Sequence, residues 1–263
     1  MEIHRDDEPS FAGGFLRSFF DLRSYPALAR RSGWLALAHF ALLIVLMSAA
    51  YAAMLDYVMI REIERYLPGV LEKIPDIRVV NGKVQTDVPQ PYKLDVEGHV
   101  FFVLDTAEPR KHVEQYSEVI VLGEKSLYVK EASGEIREWP LEGSYEFDAQ
   151  LVESWYRAAK PWFLPVAAVA VGAWQWMWKG FQALVAAGFL ALVLSGKPGF
   201  STCWKLTVYA LAPAMLWGLV VFAIGLGGGQ VPLASMVFYG LLLGIPGWAA
   251  QQIRRSEEGP AYH

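Results

Sequence analysis

WLALAHFALLIVLMSAAYAAML, residues 34–55, is a run of 22 residues without an ionised side chain. Two more runs of this kind are Leu206–Gly229 and Val231–Ala250. A helix rises 1.5 Å per residue, so about 20 apolar residues cross a hydrocarbon core roughly 30 Å thick. A buried core helix of a soluble protein is the alternative, but three such runs in one chain favour membrane-spanning helices.

The composition supports the same prediction. Of the 263 residues, 54% are hydrophobic and 19% are charged, whereas soluble domains average about 25% charged residues. The apolar residues are concentrated in the runs above and in one further stretch, Pro161–Leu194.

This further stretch is apolar except for Lys179. As a single helix it would be roughly 50 Å long, and two complete crossings do not fit because each half is too short. We therefore predict one long span, which is either a tilted helix projecting from one membrane face or a helix broken near Lys179-Gly180.

Together the runs predict an α-helical membrane protein with about four transmembrane helices and a small β-rich (α+β) extracytoplasmic domain inserted between spans one and two. The predicted segments are a cytoplasmic amphipathic arm (1–33), transmembrane helix 1 (34–56), the extracytoplasmic domain (57–160), transmembrane helices 2 (161–195), 3 (206–226) and 4 (231–250), and a cytoplasmic tail (251–263).

The orientation follows from the basic residues. Ten Lys and Arg lie outside 57–160, and all except Lys179 are in the N-terminal arm, the 195–205 loop or the C-terminal tail. Short basic segments stay on the cytoplasmic side. Both termini are therefore predicted to be cytoplasmic. The first span is predicted to be an uncleaved signal anchor, because its apolar run exceeds the roughly 7–15 residues of a signal peptide.

Residues 57–160 have a different chemistry, with 13 basic and 19 acidic residues and no cysteine. The acidic balance argues against binding to nucleic acid. Asn81-Gly82 between two short β-prone segments predicts a hairpin with a type I′ turn. The predicted strands are 77–80, 83–85, 92–96, 100–104, 118–122, 126–130 and 135–139, flanked by helices over 61–74 and 147–160.

The sequence contains no recognisable catalytic motif. No two of the five histidines have metal-ligand spacing, so we expect no metal site, no cofactor and no enzymatic activity. No Asp or Glu occurs from Pro161 to Ile253, which argues against an ion-coupled transporter or an intramembrane protease. Asp105 follows a predicted strand, where a turn or cap contact is the ordinary role and a ligand contact is the alternative.

The charge at membrane depth is Lys179, at the end of Trp174-Gln175-Trp176-Met177-Trp178-Lys179. The ordinary interpretation is a lysine that snorkels to an interface beside an aromatic belt. The alternative is a buried cation that faces an acidic partner. Together with Asp105, the residues that we single out as candidates for contact with a partner or with lipid are Lys179, Trp174 and Trp178.

The N-terminal arm carries Phe11, Phe15, Phe19 and Leu22 near one helical face. This spacing predicts an amphipathic helix, which either lies on the cytoplasmic membrane surface or packs against the spans.

One family resemblance covers most of the chain, about residues 15–250. It rests on the basic aromatic arm, the first span and a series of soft motifs: IPDIRVVNGKV (74–84), FFVLDT (101–106), IVLG (120–123), LYV (127–129) and YALAP (209–213). The chain resembles the bacterial membrane family catalogued as domain of unknown function 1189. Some relatives are labelled maltodextrin utilisation protein, which implies an accessory role beside a sugar transporter in the bacterial cytoplasmic (inner) membrane. The family has no established catalytic residues to transfer.

Two functions remain open. The first is a non-enzymatic accessory, scaffold or sensor subunit that binds membrane lipid and other membrane protein subunits through its outer domain and spans. The second is a small transporter or channel component linked to carbohydrate uptake. The size of the outer domain and the lack of acidic coupling groups in the spans favour the accessory subunit.

Overall fold

The computed structural model describes residues 10–96 and 98–258. The chain divides into two compact units. The helical unit contains the described residues up to Val58 and from Phe163 onward, and the inserted unit contains Met59–Trp162.

The helices and strands follow one another in this order: α1 (Phe11–Phe20), a 3₁₀ turn (Leu22–Ser24), α2 (Tyr25–Arg30), α3 (Gly33–Leu71), β1 (Ile77–Val80), β2 (Lys83–Gln85), β3 (Tyr92–Val96), β4 (His99–Leu104), α4 (Pro109–Gln115), β5 (Val119–Leu122), β6 (Ser126–Lys130), β7 (Ile136–Pro140), β8 (Tyr145–Phe147), α5 (Ala149–Val193), α6 (Phe200–Leu226) and α7 (Ala234–Glu258).

Three of the described helices are long and apolar enough to cross a membrane, namely α3 with 39 residues, α5 with 45 and α6 with 27. The fourth predicted span corresponds to α7, which is not among these three. This helix begins at Ala234 instead of Val231 and continues through Gln251, Gln252, Arg254 and Arg255. The polar last turns and the later start lower its apolar content.

The second predicted span lies within one continuous helix. α5 passes through Lys179 and Gly180 without interruption, so of the two arrangements left open by the sequence the unbroken helix is observed. It starts at Ala149, well before the Pro161 that begins the apolar stretch. Asp148 accounts for this start, because its Oδ1 accepts a hydrogen bond of 2.7 Å from the backbone N–H of Leu151, as an N-cap residue does.

The N-terminal arm packs against α6. Tyr25 and Leu28 are completely buried, and the Tyr25 hydroxyl donates to the backbone carbonyl of Ser18 (2.6 Å) and to that of Tyr209 (3.3 Å). Leu16 and Phe20, by contrast, are 63% and 79% exposed. The arm is thus packed on one side against the helices and presents an uncovered apolar side.

The inserted unit contains two sheets, so the mixed α+β expectation for this segment is met. One sheet has the order β2-β1-β8 and is antiparallel. The other has the order β3-β4-β5-β6-β7, in which only the β4/β5 pair is parallel. A parallel pair needs a crossover connection, and here α4 provides it.

The predicted hairpin is confirmed. Val80 pairs with Lys83, and the two turn residues Asn81 and Gly82 have φ values of 52° and 75°. Positive φ at both central residues defines the type I′ turn. The carbonyl of Leu141 would lie 2.6 Å from a Cβ on Gly82, so the residue also needs to be small.

The other predicted strands appear as β3–β7 with ends shifted by at most one residue. Two of the described elements of the inserted unit were not predicted. β8 is only three residues long and overlaps the start of a helical pattern, so its pairing with β1 decides its conformation. α4 begins at Pro109, where proline is well suited to the first turn of a helix.

Candidate functional site

The ammonium group of Lys179 contacts side chains of its own chain. Its Nζ donates a hydrogen bond of 3.0 Å to Oε1 of Gln182 and lies 4.1 Å from the centroid of the Phe238 ring. Gln182 donates a further hydrogen bond of 3.0 Å to the hydroxyl of Tyr239. A polar bridge therefore joins α5 to α7, and a cation over an aromatic ring is an attractive contact of about 0.5–2 kcal/mol.

Lys179 has no carboxylate partner within the part of the chain that the structure describes. The sequence explains why, since Asp and Glu are missing from Pro161 to Ile253. The side chain is half-buried, so its charge is held between a neutral amide and an aromatic ring.

Trp174 and Trp178 lie one helical turn apart on α5, on a face that the described residues leave partly exposed. Their rings stack with centroids 6.1 Å apart and an interplanar angle of 8°, and Phe181 continues the row 6.0 Å from Trp178. Trp174 remains 60% exposed and Trp178 43%. These residues form what we call the aromatic strip (Trp174, Trp178, Phe181), which extends beside Lys179.

Three buried residues of the helical unit carry a polar side-chain atom without a hydrogen-bond partner among the described residues, and none of the three was singled out from the sequence. His39 is 1% exposed, and neither of its ring nitrogens has a hydrogen-bond partner among the described residues. Its ring packs instead against Phe15 and Tyr209. The Oγ of Ser48 and the Oε1 of Gln175 are likewise buried and without a partner in the described part of the chain. A single neutral polar residue in an apolar run produces no pattern, so the sequence offered no way to find them.

Asp105 lies in the inserted unit. Its Oδ1 accepts hydrogen bonds from the backbone N–H groups of Ala107 (2.9 Å) and Glu108 (3.1 Å). Its Oδ2 lies 2.9 Å from Nε2 of His112. Burial alone would raise the pKa of Asp105, but the hydrogen bonds from Glu108, Ala107 and His112 outweigh this effect and hold the pKa below its usual value. The contacts are those of the turn-and-cap role expected from the sequence.

An apolar cavity of about 400 Å³ also lies in the inserted unit. Its walls come from the end of α3, from both sheets and from the beginning of α5, and its lining includes Val70, Leu94, Phe102, Ile120, Phe147 and Val152. Tyr145 is the only one of the described lining residues with a polar side chain. Sequence reasoning missed this cavity because its lining is spread over residues 70–152.

Residues of both sheets line the cavity. On one face of the five-stranded sheet Val103, Val119 and Val121 are buried around Val113 of α4. On the opposite face Leu104 and Leu122 pack against β1 and β2. Further along this second face, Phe102 pairs with both Leu94 and Ile120, and these three side chains border the cavity.

Among the described residues no group of three or more His, Cys, Asp or Glu is arranged to hold a metal ion. The single cysteine, Cys203, is a buried free thiol.

The comparisons with known proteins give one match. The family described as protein of unknown function (DUF1189) matches residues 13–245. Searches of curated proteins and of solved structures found nothing similar to this chain. Since the match covers most of the sequence, this chain belongs to the DUF1189 family.

Proposed function

We propose that the chain is a multi-pass protein of the bacterial cytoplasmic membrane, with α3, α5, α6 and α7 as its spans. The length and apolar character of α3, α5 and α6 support this proposal. α7 is proposed as the fourth span because it packs along α6, and Nε1 of Trp217 donates to the carbonyl of Ala234 at its start (3.1 Å). The basic residues support cytoplasmic termini and an extracytoplasmic inserted unit.

Within that membrane the protein acts as a non-enzymatic accessory subunit, binding partner subunits through its spans and its outer domain. The observation that carries this proposal is the environment of Lys179, which contacts Gln182 and Phe238 but no carboxylate of the described chain. A lysine at the bilayer centre costs roughly 2.5–3.5 kcal/mol on insertion scales. One amide and one ring offset part of this cost, and an acidic residue of another subunit would offset the rest.

The aromatic strip next to Lys179 supports the same proposal. Stacked rings of Trp174 and Trp178 form a preorganised apolar surface on α5. Aromatic residues are enriched both at membrane interfaces and in the centres of protein interfaces. Lipid covers this strip in the isolated subunit, and a partner helix covers it in the complex.

Co-purification tests this role directly. The full chain is expressed in its native host, extracted in mild detergent and captured, and the chains that elute with it are identified. We expect Lys179→Leu to leave membrane insertion unchanged, because leucine is easier to place in lipid, and to reduce the recovery of a membrane partner. Lys197→Leu is the matched control, since Lys197 is an exposed lysine of the loop between α5 and α6.

The outcomes separate the two interpretations of Lys179. Equal recovery of every membrane partner with the wild type and with Lys179→Leu would show that the lysine only snorkels. Loss of insertion in Lys179→Leu would contradict both interpretations.

A transporter or channel component linked to carbohydrate uptake is the second candidate. Buried polar atoms of His39, Ser48 and Gln175 that have no hydrogen-bond partner among the described residues favour it, because polar groups inside membrane helices often mark a substrate pathway. The Ser48→Ala and Gln175→Leu variants distinguish the candidates. Both should abolish uptake of a labelled maltodextrin by cells if these residues line a pathway, and neither should do so if the protein is an accessory subunit.

A further inference from the structure

The lining of the cavity in the inserted unit restricts what it can hold. No charged side chain lines it among the described residues, and Tyr145 contributes the only side-chain polar group. Ordered water needs two to four polar partners, so water is a poor occupant. A peptide segment is equally unsuited, because its backbone N–H and C=O groups would be buried without hydrogen bonds.

The size of the cavity suits a hydrocarbon chain. Water occupies about 30 Å³ per molecule in the liquid, and a methylene group is of similar size. The volume of 400 Å³ therefore accommodates about a dozen carbon atoms. An empty cavity of this size would forfeit dispersion contacts along its whole lining.

The opening is also apolar. Phe101 and Ile120, which line the cavity, are 38% and 39% exposed, and Tyr145 is 46% exposed. Large side chains left open to solvent beside an apolar cavity indicate an entrance for a ligand.

We propose that this cavity binds the hydrocarbon chain of a fatty-acyl lipid. The lipid would come from the membrane around the protein, so this inference rests on the proposed membrane location. Two walls of the cavity belong to the long helices themselves, since Val70 lies in the last turn of α3 and Val152 in the first turn of α5. The site would give the accessory subunit a sensor for lipid, in addition to its contacts with partner subunits.

Photo-crosslinking tests the proposal with the full-length protein in phospholipid nanodiscs. The probe is a fatty acid with a diazirine in its chain, supplied either free or esterified in phosphatidylcholine, so that the two arms distinguish a free acid from a membrane lipid. Labelled peptides are mapped by mass spectrometry. We expect labelling within 70–152 in at least one arm, and competition by the same unlabelled lipid.

A pair of variants locates the site. Ile120→Trp places a larger side chain in the cavity, and Val80→Trp is the matched control, because Val80 is also 39% exposed on a strand but does not line the cavity. Displacing two methylene groups weakens binding by about tenfold. We therefore expect labelling within 70–152 to fall by about this factor in Ile120→Trp and to stay unchanged in Val80→Trp.

Three results would overturn the proposal: no labelling within 70–152, labelling that excess unlabelled lipid does not reduce, or equal labelling of the two variants. The competition experiment uses the wild type and holds even if Ile120→Trp does not fold. Labelling of 34–55 and 206–226 in the same samples reports the membrane location separately. Labelled spans with an unlabelled cavity would thus refute the lipid site alone, whereas unlabelled spans would refute the proposed membrane location.

Discussion

Nε2 of His112 lies 2.9 Å from Oδ2 of Asp105, and both side chains are almost fully buried. The pair connects the loop after β4 to the helix α4, which crosses over to β5. The other carboxylate oxygen of Asp105 accepts two backbone N–H groups of the same loop. The carboxylate of Asp105 thus links the loop and α4, which together connect the two parallel strands.

Replacing this carboxylate should destabilise the inserted unit. Asp105→Ala leaves the N–H groups of Ala107 and Glu108 and the ring of His112 without their acceptor, at a cost of about 2–4 kcal/mol. Pulse proteolysis of the full-length protein, following cleavage within 59–162, measures the change in free energy of unfolding. Asp87→Ala, at an exposed position, is the control and should change it little. Equal stability of the two variants would contradict the structural role of Asp105.

The same carboxylate predicts a pH dependence. The pKa of Asp105 is lowered in the folded protein by the net effect of its hydrogen bonds, so the unfolded chain binds its proton more tightly. The resulting stability is complete above the unfolded value of about 3.9 and is lost as the pH falls through the lower folded value. We therefore expect the inserted unit to lose stability below about pH 4. The stability of the Asp105→Asn variant should fall less steeply than that of the wild type in this range. Parallel curves of unfolding free energy against pH for the two proteins would contradict this prediction.

Two glycines of the inserted unit allow the cost of a positive φ to be separated from the cost of a steric clash. Gly82 and Gly134 both have positive φ, 75° and 84°, but only Gly82 has a carbonyl oxygen 2.6 Å from the position of an added Cβ. Gly134→Ala should cost about 1–2 kcal/mol from the left-handed conformation alone. Gly82→Ala should cost more, because the Leu141 carbonyl must also move. Thermal unfolding of both variants measures which substitution lowers the stability more. A larger loss of stability in Gly134→Ala than in Gly82→Ala would contradict this prediction.

The orientation in the membrane is tested with reporter fusions. Alkaline phosphatase, which is active only outside the cytoplasm, is fused at Gly134 or after the C-terminal residue of the chain. We expect activity from the Gly134 fusion and none from the C-terminal fusion, because the basic residues that flank the spans stay inside. A β-galactosidase fusion at each position is the control and should give the opposite pattern. Activity of phosphatase at the C-terminus would refute the proposed topology.

Much of the fold was predictable because it depends on local patterns. An apolar run of 22 residues such as 34–55 specifies a long helix whatever surrounds it. Asn81-Gly82 specifies a type I′ turn, because few other pairs adopt positive φ at both positions at low cost. The strands 92–96 and 126–130 were predicted with their observed ends. The turn-and-cap contacts of Asp105 agree with the ordinary role expected from its place at the end of a strand, while its role as a ligand contact stays a prediction.

The tertiary structure alone decided the features that depend on distant residues. β8 is a strand only because Tyr145 and Phe147 pair with Val79 and Ile77, which lie 66 and 70 positions earlier in the chain. The contact of Lys179 with Phe238 depends on how α5 packs against α7. The cavity likewise depends on residues of both sheets and of α3 and α5, which are spread over 70–152. Sequence patterns report the conformation of neighbouring residues, whereas such contacts arise only when segments far apart in the chain pack together.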